Sequence, residues 1–565
     1  MAFHRLGGLP QRMRRTWMMA AGLGCLISLT GARPGWSAEE VRFSAGLLQF
    51  TLPVESLETF AETGVADSRI RFLGRFIDDL DQFRSFLQIS VPFNPVYVNQ
   101  FSYTHLGETF LTDLGEGIQT GSGQNGMRAM RAALTLAAQD PEGVSLIGIL
   151  QQFPTQEVQI DLGQLNQWQR TFARNLAERD RAIATIRQQS QLDQSAQPTT
   201  DFAQQPDLRQ PGAVFFERQT LSLSRVGVVP GPLGEPLRQF LVDLYLPTTS
   251  LPAPLVVLSH GLGSKRQDLD FLAEHLASHG FAVAVPDHVG SDERYQRGLG
   301  AAQHYARSNP AEFIERPRDI SQILDELESR VATDAAWRDR LDLTRVGVAG
   351  QSYGGYTTLA TAGATLDIAQ LQATCAGDRP FAGFAALLQC DAADLPEPHY
   401  RLGDPRIRAA VALNPVASSI FGADGLSAIT IPTLMLTATD DVLAPMMPEQ
   451  VQPFANLTTP ERYLAVMENG NHATVYPQLA VPGATTSPIL LLTKGPDPAL
   501  GGDYARALTL AMMQVYVAED EAARSYLSAA YADYLSREPM PLSLVRSLSP
   551  TPQSTSQSTS QATPE

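Results

Sequence analysis

A chain of 565 residues is too long for a single core, and at about 100 to 200 residues per domain it predicts two or three units. Its 44% hydrophobic content is enough to fill them, while a formal charge of −17 argues against nucleic acid or anionic lipid as a docking surface.

The first 38 residues are built like an export signal. Arg5, Arg12, Arg14 and Arg15 precede an apolar stretch from Trp17 to Leu29, and small residues between Thr30 and Ala38 offer a cleavage site. The stretch is too short for a permanent span, although a retained anchor is the alternative. Arg14-Arg15-Thr16-Trp17 is also similar to a twin-arginine signal. The expectation is an exported protein, periplasmic, lumenal or extracellular, without a membrane span once the signal is cut. Residues 39–175 carry apolar side chains at helical spacing over Phe76 to Leu87 and Met127 to Ala138; Leu165, Trp168, Phe172 and Leu176 form one stripe of a long helix. A mostly helical domain is predicted there, with His105 as a structural residue. Residues 176–214 read as a helix end and a linker, because Gln188 to Pro211 is rich in Gln, Ser, Thr, Pro and Asp.

From 215 to 540 the pattern becomes strands alternating with helices. Thr220 to Val229 and Arg238 to Leu246 alternate around the turn-rich Pro230 to Pro236, which predicts an edge hairpin. Leu255 to Leu258, Phe281 to Val285, Val346 to Ala349, Ala409 to Leu413, Thr433 to Leu436 and Tyr463 to Val466 are short apolar runs of the parallel, doubly covered kind. The fold class is therefore α/β, an eight-stranded mostly parallel sheet flanked by helices. Residues 541–565 read as a disordered tail.

One stretch in this region carries chemistry. Gly350-Gln351-Ser352-Tyr353-Gly354 follows an apolar strand and opens a helix, the setting of a nucleophile elbow, in which the flanking positions must be nearly free of side chain. A serine hydroxyl needs a base and an orienting acid, in the order Ser, Asp or Glu, His on such a sheet. Asp441 follows the seventh strand and His472 the eighth; Asp440 competes for the acid position. Of nine histidines, His260, His399 and His472 are taken to lie after strands or in site loops, and His472 has the right order. The third strand ends in Ser259-His260-Gly261-Leu262-Gly263, which could aim the Leu262 amide, with that of Tyr353, at a developing oxyanion. His260 then shapes the loop. No zinc or calcium ligand spacing and no nucleotide loop occurs, so chemistry without metal or cofactor is expected.

Cys25 lies in the signal, which leaves Cys375 and Cys390 as an even pair in an exported chain. They predict a disulfide, two free buried thiols being the alternative. Both lie in residues 364–405, an insertion with Phe381, Phe384, Leu387 and Leu388 that could be a lid or part of an acyl pocket, or simple packing.

Residues 215–540 resemble an alpha/beta hydrolase. Leu258-Ser-His-Gly-Leu-Gly263, Leu276-Ala-Ser-His-Gly-Phe281 and Gly350-Gln-Ser-Tyr-Gly-Gly355 are similar to its platelet-activating-factor acetylhydrolase and dienelactone-hydrolase branch. Ser56 to Ala61 and Ser122 to Gly126 resemble the N-terminal domain of unknown function that precedes such hydrolases in cyanobacteria. The resemblance implies hydrolysis of short-chain or lipid-like carboxylic esters through an acyl-enzyme. One departure matters: mammalian acetylhydrolases of this branch carry their acid after the sixth strand, where this chain has Asn414. The acid is therefore sought at Asp441, and the phospholipid substrate is not carried over. A peptidase on the same fold and a catalytically silent binding or assembly module are the alternatives.

Overall fold

The computed structural model describes residues 37–548, apart from 46–47, 78, 89, 92–94, 104, 228–236, 295–308, 377–382, 482–492 and 494. The expected signal, the tip of the edge hairpin, Phe381 and the tail beyond 548 lie outside the described residues, as do the side chains of His105, Leu165, Trp168 and Phe172. Two compact units emerge: residues up to Pro95 with Gly115–Leu165, and Val96–Leu114 with everything from Asn166 onward.

The first unit is mixed rather than mostly helical. Its four-stranded sheet runs in the order Leu48–Pro53, Glu40–Ala45, Glu157–Asp161, Ile118–Thr120, with the middle pair parallel. Val41 and Phe43 are buried with Arg42 between them half-exposed, an alternation that a six-residue strand offers too briefly to stand out among helical patterns. Phe50 packs on Phe72 and Phe76, at ring separations of 5.0 and 5.4 Å.

The second unit begins, in sequence, with helical residues drawn from the N-terminal stretch: Phe101 and Phe110 pack against its core. Helix α1 (Leu162–Ala196) is 35 residues long and overruns the expected linker. Ala182 and Ile186 are buried in the core of the second unit, Arg187 pairs with Glu468, and Ser190 accepts the Leu544 amide. Phe202 and Leu208 are buried as well, Phe202 lying 4.9 Å from the Tyr531 ring. Composition misled here because a few well-placed apolar residues dock on a surface that the rest of the chain supplies.

The main sheet has nine strands: β1 (Phe216–Val226), β2 (Leu237–Pro247), β3 (Ala253–Ser259), β4 (Ala282–Pro286), β5 (Leu341–Gln351), β6 (Ile407–Leu413), β7 (Thr433–Ala438), β8 (Arg462–Met467) and β9 (Leu542–Val545), in the order 1-2-4-3-5-6-7-8-9. Pairs from β4 through β8 are parallel; β2 runs antiparallel to both of its neighbours, β4 and β1, and β9 runs antiparallel to β8. β9 is the strand missed at the sequence level; it starts two residues past the expected domain end, within the stretch read as a disordered tail, and β8 gives it its register.

Alternate residues feed two cores. Leu255, Val257, Val346 and Val348 face one, with helices α3 (Glu312–Thr333) and α4 (Tyr353–Thr361); Val256, Leu258, Ala349 and Val411 face the other, with α2 (Asp270–Ser278) and α7 (Pro498–Tyr516). Each fully buried Val or Leu contributes about 1.5–3 kcal/mol, which is why these strands read as continuous apolar runs. The insertion holds α5 (Ile368–Ala376) and α6 (Phe384–Asp391), joined by the Cys375–Cys390 disulfide. No helix among the described residues is long and apolar enough to cross a membrane.

Candidate active site

The loops after β3, β5, β7 and β8 meet at the carboxyl edge of the sheet. β3 and β5 are neighbours there although β4 lies between them in the chain, a switch point of the kind where open sheets place ligands. β5 leads directly into Ser352, with φ 59° and ψ −118°, a left-handed backbone that a non-glycine residue holds only at a cost of about 1–3 kcal/mol. The Tyr356 amide donates to the Ser352 carbonyl, 3.0 Å, and α4 starts at once.

Glycine at 354 is dictated by contact. A Cβ there would lie 1.9 Å from the Ser259 carbonyl oxygen, so only glycine lets the elbow press against the end of β3. Gly350 is closed off in the same way by the Gly354 carbonyl, and a Cβ on Gly261 would meet the Gln351 side chain at 2.8 Å. These glycines bring the loop carrying Leu262 onto the elbow. Among the described residues, neither the Leu262 nor the Tyr353 amide has an acceptor within the chain.

Asp441 and His472 are joined. His472 Nδ1 lies 2.7 Å from Asp441 Oδ2, both side chains buried. Asp441 Oδ1 accepts the Leu443 and Ala444 amides at 2.9 and 2.8 Å, and Asn414 Nδ2 donates to Oδ2 at 3.0 Å. Every other neighbour of this carboxylate is a donor, so Nδ1 carries the imidazole proton and Nε2 is left as the basic nitrogen. Asp440 turns outward instead and pairs with Arg179 of α1 at 3.0 Å. The Ser352 hydroxyl has no hydrogen-bond partner among the described residues, so the acid–base half of the set is closed and the serine half is open. Resting sites often hold this contact long until substrate arrives.

Three contributors escaped the sequence reading. Gln351 donates to the His472 carbonyl at 3.0 Å and accepts from Tyr476 at 3.0 Å, tying the elbow to the histidine loop. Asn414, with φ 44°, fills the position after β6 and supports the acid of β7. His288 stands directly after β4, yet was left out of the histidines expected near strand ends. Its Nε2 is 2.9 Å from Ser259 Oγ and its Nδ1 3.1 Å from Asp319 Oδ2. That chain mimics a triad, but Ser259, His288 and Asp319 are all 0% exposed, so no substrate reaches it. Burial, with the Arg316 charge beside it, lowers His288 to about 3. His260 is also wholly buried and held well below the usual histidine range, first by burial. Its Nε2 accepts the His288 amide and its Nδ1 donates to the Gly261 carbonyl, contacts that tie it to the loops after β3 and β4. His399 is exposed, in a short strand of the insertion, near Asp367.

The insertion touches the site from the side. The Ala385 amide of α6 donates to the Leu443 carbonyl, two residues beyond Asp441, and Phe101 lies 6.4 Å from Phe384.

An elbow at the end of the fifth strand, an acid after the seventh and a histidine after the eighth, on a sheet of this order, define an α/β hydrolase. Two family models and one curated protein match parts of the chain. The family described as "Alpha/beta hydrolase of unknown function (DUF1400)" matches residues 37–161, and "Platelet-activating factor acetylhydrolase, isoform II" matches residues 245–298. The quorum-quenching protein AidA of Acinetobacter baumannii (strain MDR-ZJ06) is 34% identical over 122 residues, 21% of this chain and 34% of AidA. The chain thus spans about a third of the length of that curated relative.

Proposed function

We propose that the protein is an exported serine hydrolase that cleaves short-chain or lipid-like carboxylic esters through an acyl-enzyme. The observation that carries this reading is the pairing of His472 with Asp441 on the rim where the strained Ser352 elbow ends. In this mechanism His472 Nε2 takes the Ser352 proton as the hydroxyl attacks the ester carbonyl. The tetrahedral oxyanion is held by the Leu262 and Tyr353 amides, and the imidazolium by Asp441. The proton then passes to the leaving alcohol; water, activated by the same nitrogen, releases the acid. Phe384 and the disulfide-tied insertion beside the acid loop form one wall of the acyl pocket.

The likeness to AidA supports a second reading within the same chemistry, the silencing of a quorum signal. A panel of chromogenic esters of increasing acyl length tests the first reading. Turnover is expected for wild type and a loss of at least about 10⁴-fold in Ser352→Ala; turnover that survives this change in pure protein refutes the assignment. Clearing a reporter strain's signal, again lost in Ser352→Ala, would select the second.

A further inference from the structure

Behind the loop that carries Leu262 lies a fully buried set of charges. On α3, Glu312, Glu315, Arg316 and Asp319 share one face at spacings of three, four and seven, and all four are at most 2% exposed. Arg225 of β1 pairs with Glu315 and Asp319, and Arg238 of β2 with Glu312 and Asp319. Those two guanidinium groups already answer the carboxylates they touch. Arg316 does something else.

Its guanidinium faces the elbow and the loop after β3 together. One Nη2 hydrogen bond runs to the His260 carbonyl, and Nη1 donates to Ser291 Oγ at 3.2 Å. Nε donates at 3.1 Å to Thr357 Oγ1, which itself donates to the Tyr353 carbonyl at 2.9 Å. The guanidinium plane lies over the Tyr353 ring, 4.5 Å from its centroid. The Ser291 carbonyl in turn accepts the Gly263 amide at 2.8 Å, and Ser291 Oγ donates to Glu312 at 2.9 Å. The peptide of Leu262 is therefore pinned on both sides, at the His260 carbonyl and at the Gly263 amide, while its own N–H stays free. The residue bearing the second free amide, Tyr353, is stacked on the same cation.

We infer that Arg316 is a positioning residue for the oxyanion hole, a single buried cation that fixes the spacing between the Leu262 and Tyr353 amides. The inference rests on the serine-hydrolase reading of Ser352. Burying a guanidinium with no carboxylate of its own is costly, and a methionine of similar length would fill the volume without that cost. What methionine lacks is the simultaneous grip on a carbonyl, the hydroxyls of Ser259, Ser291 and Thr357, and an aromatic face, which needs a planar fork of donors. A displaced oxyanion donor weakens the transition state and leaves ground-state binding alone, so the loss falls on kcat.

The test compares wild type, Arg316→Lys, Arg316→Met and Ser291→Ala on a short chromogenic ester, with inhibition by an alkyl boronic acid as the tetrahedral mimic and thermal unfolding to show folded protein. The expected result is a kcat loss of about 10- to 100-fold in Arg316→Met, with KM within about twofold. The boronate inhibition constant should rise by a matching factor. Lysine, which keeps the charge and a single donor nitrogen, should lose less than methionine, and Ser291→Ala, which removes one tether, should lose about 3- to 10-fold. A folded Arg316→Met with unchanged kcat and boronate affinity overturns the assignment, as does a loss confined to KM. Should neither Arg316 variant fold, Ser291→Ala decides alone: unchanged kcat and boronate affinity there reject it. Wild-type protein that neither turns over ester nor binds the boronate overturns the serine-hydrolase reading itself, and this assignment with it.

Discussion

At the scale of single residues the acid position is the most instructive. Asp441 carries the contact to His472, but the amide of Asn414 bonds the same carboxylate oxygen, so the ends of β6 and β7 offer two places for one function. Asp441→Asn keeps the shape and removes the charge that holds the correct tautomer, and is expected to cost about 10⁴-fold in kcat. Adding Asn414→Asp to that variant returns a carboxylate to within hydrogen-bonding distance of the same spot, and should recover at least about tenfold of the loss in kcat/KM. No recovery would mean that an acid at 414 cannot serve the imidazole. The candidates Ser352, His472 and Asp441 could be picked out in the sequence because each sits in a short local pattern: Gly-x-Ser-x-Gly, Asp four residues before Pro445, and His after Gly470-Asn471. The spacing to Pro445 favours Asp441 over Asp440, and the structure adds that Asp440 pairs with Arg179, some 260 residues away in the chain.

At the scale of elements, α3 shows what periodicity conceals. Its buried face mixes Phe313, Ile320 and Leu324 with Glu312, Glu315, Arg316 and Asp319, so a hydrophobic pattern alone marks half of it as solvent-facing. The charges are tolerable because Arg225 and Arg238 on the edge hairpin meet them. Although burial alone would raise Asp319, the cations and His288 hold its carboxyl well below the usual range. His288 is also lowered, by burial first, to about 3, and the sign of its pH dependence follows. Between about pH 6.5 and about pH 3 the unfolded imidazole binds a proton that the folded one refuses. This residue's contribution is thus complete above about pH 6.5 and falls with acidification by about 1.4 kcal/mol per pH unit. Urea unfolding of His288→Asn between about pH 6 and about pH 4 should show a pH slope reduced by about one proton relative to wild type. An unchanged slope would show that His288 does not resist protonation. The insertion was easier to foresee: two cysteines 15 residues apart, with the signal cysteine set aside, form the disulfide expected of them.

For the whole molecule the alternation of apolar runs and helical patterns gave away the α/β class and eight of nine strands, since a doubly covered parallel sheet writes its burial into consecutive residues. The partition of the chain was harder. Residues 96–114 look from composition like part of a separate N-terminal domain and residues 176–214 like a helix end and linker, yet Phe101 packs against the core of the unit that holds the site, and Ala182, Ile186 and Phe202 are buried in it. Long-range docking of this kind leaves no period in the sequence. The central claim, that the elbow serine is the reacting group, is most directly tested by treating the protein with a fluorophosphonate and mapping the adduct by peptide mass spectrometry. The account requires one adduct, on Ser352, that is lost in Ser352→Ala. Stoichiometric labelling of a different residue, or ester turnover by a protein that takes no label, would contradict it.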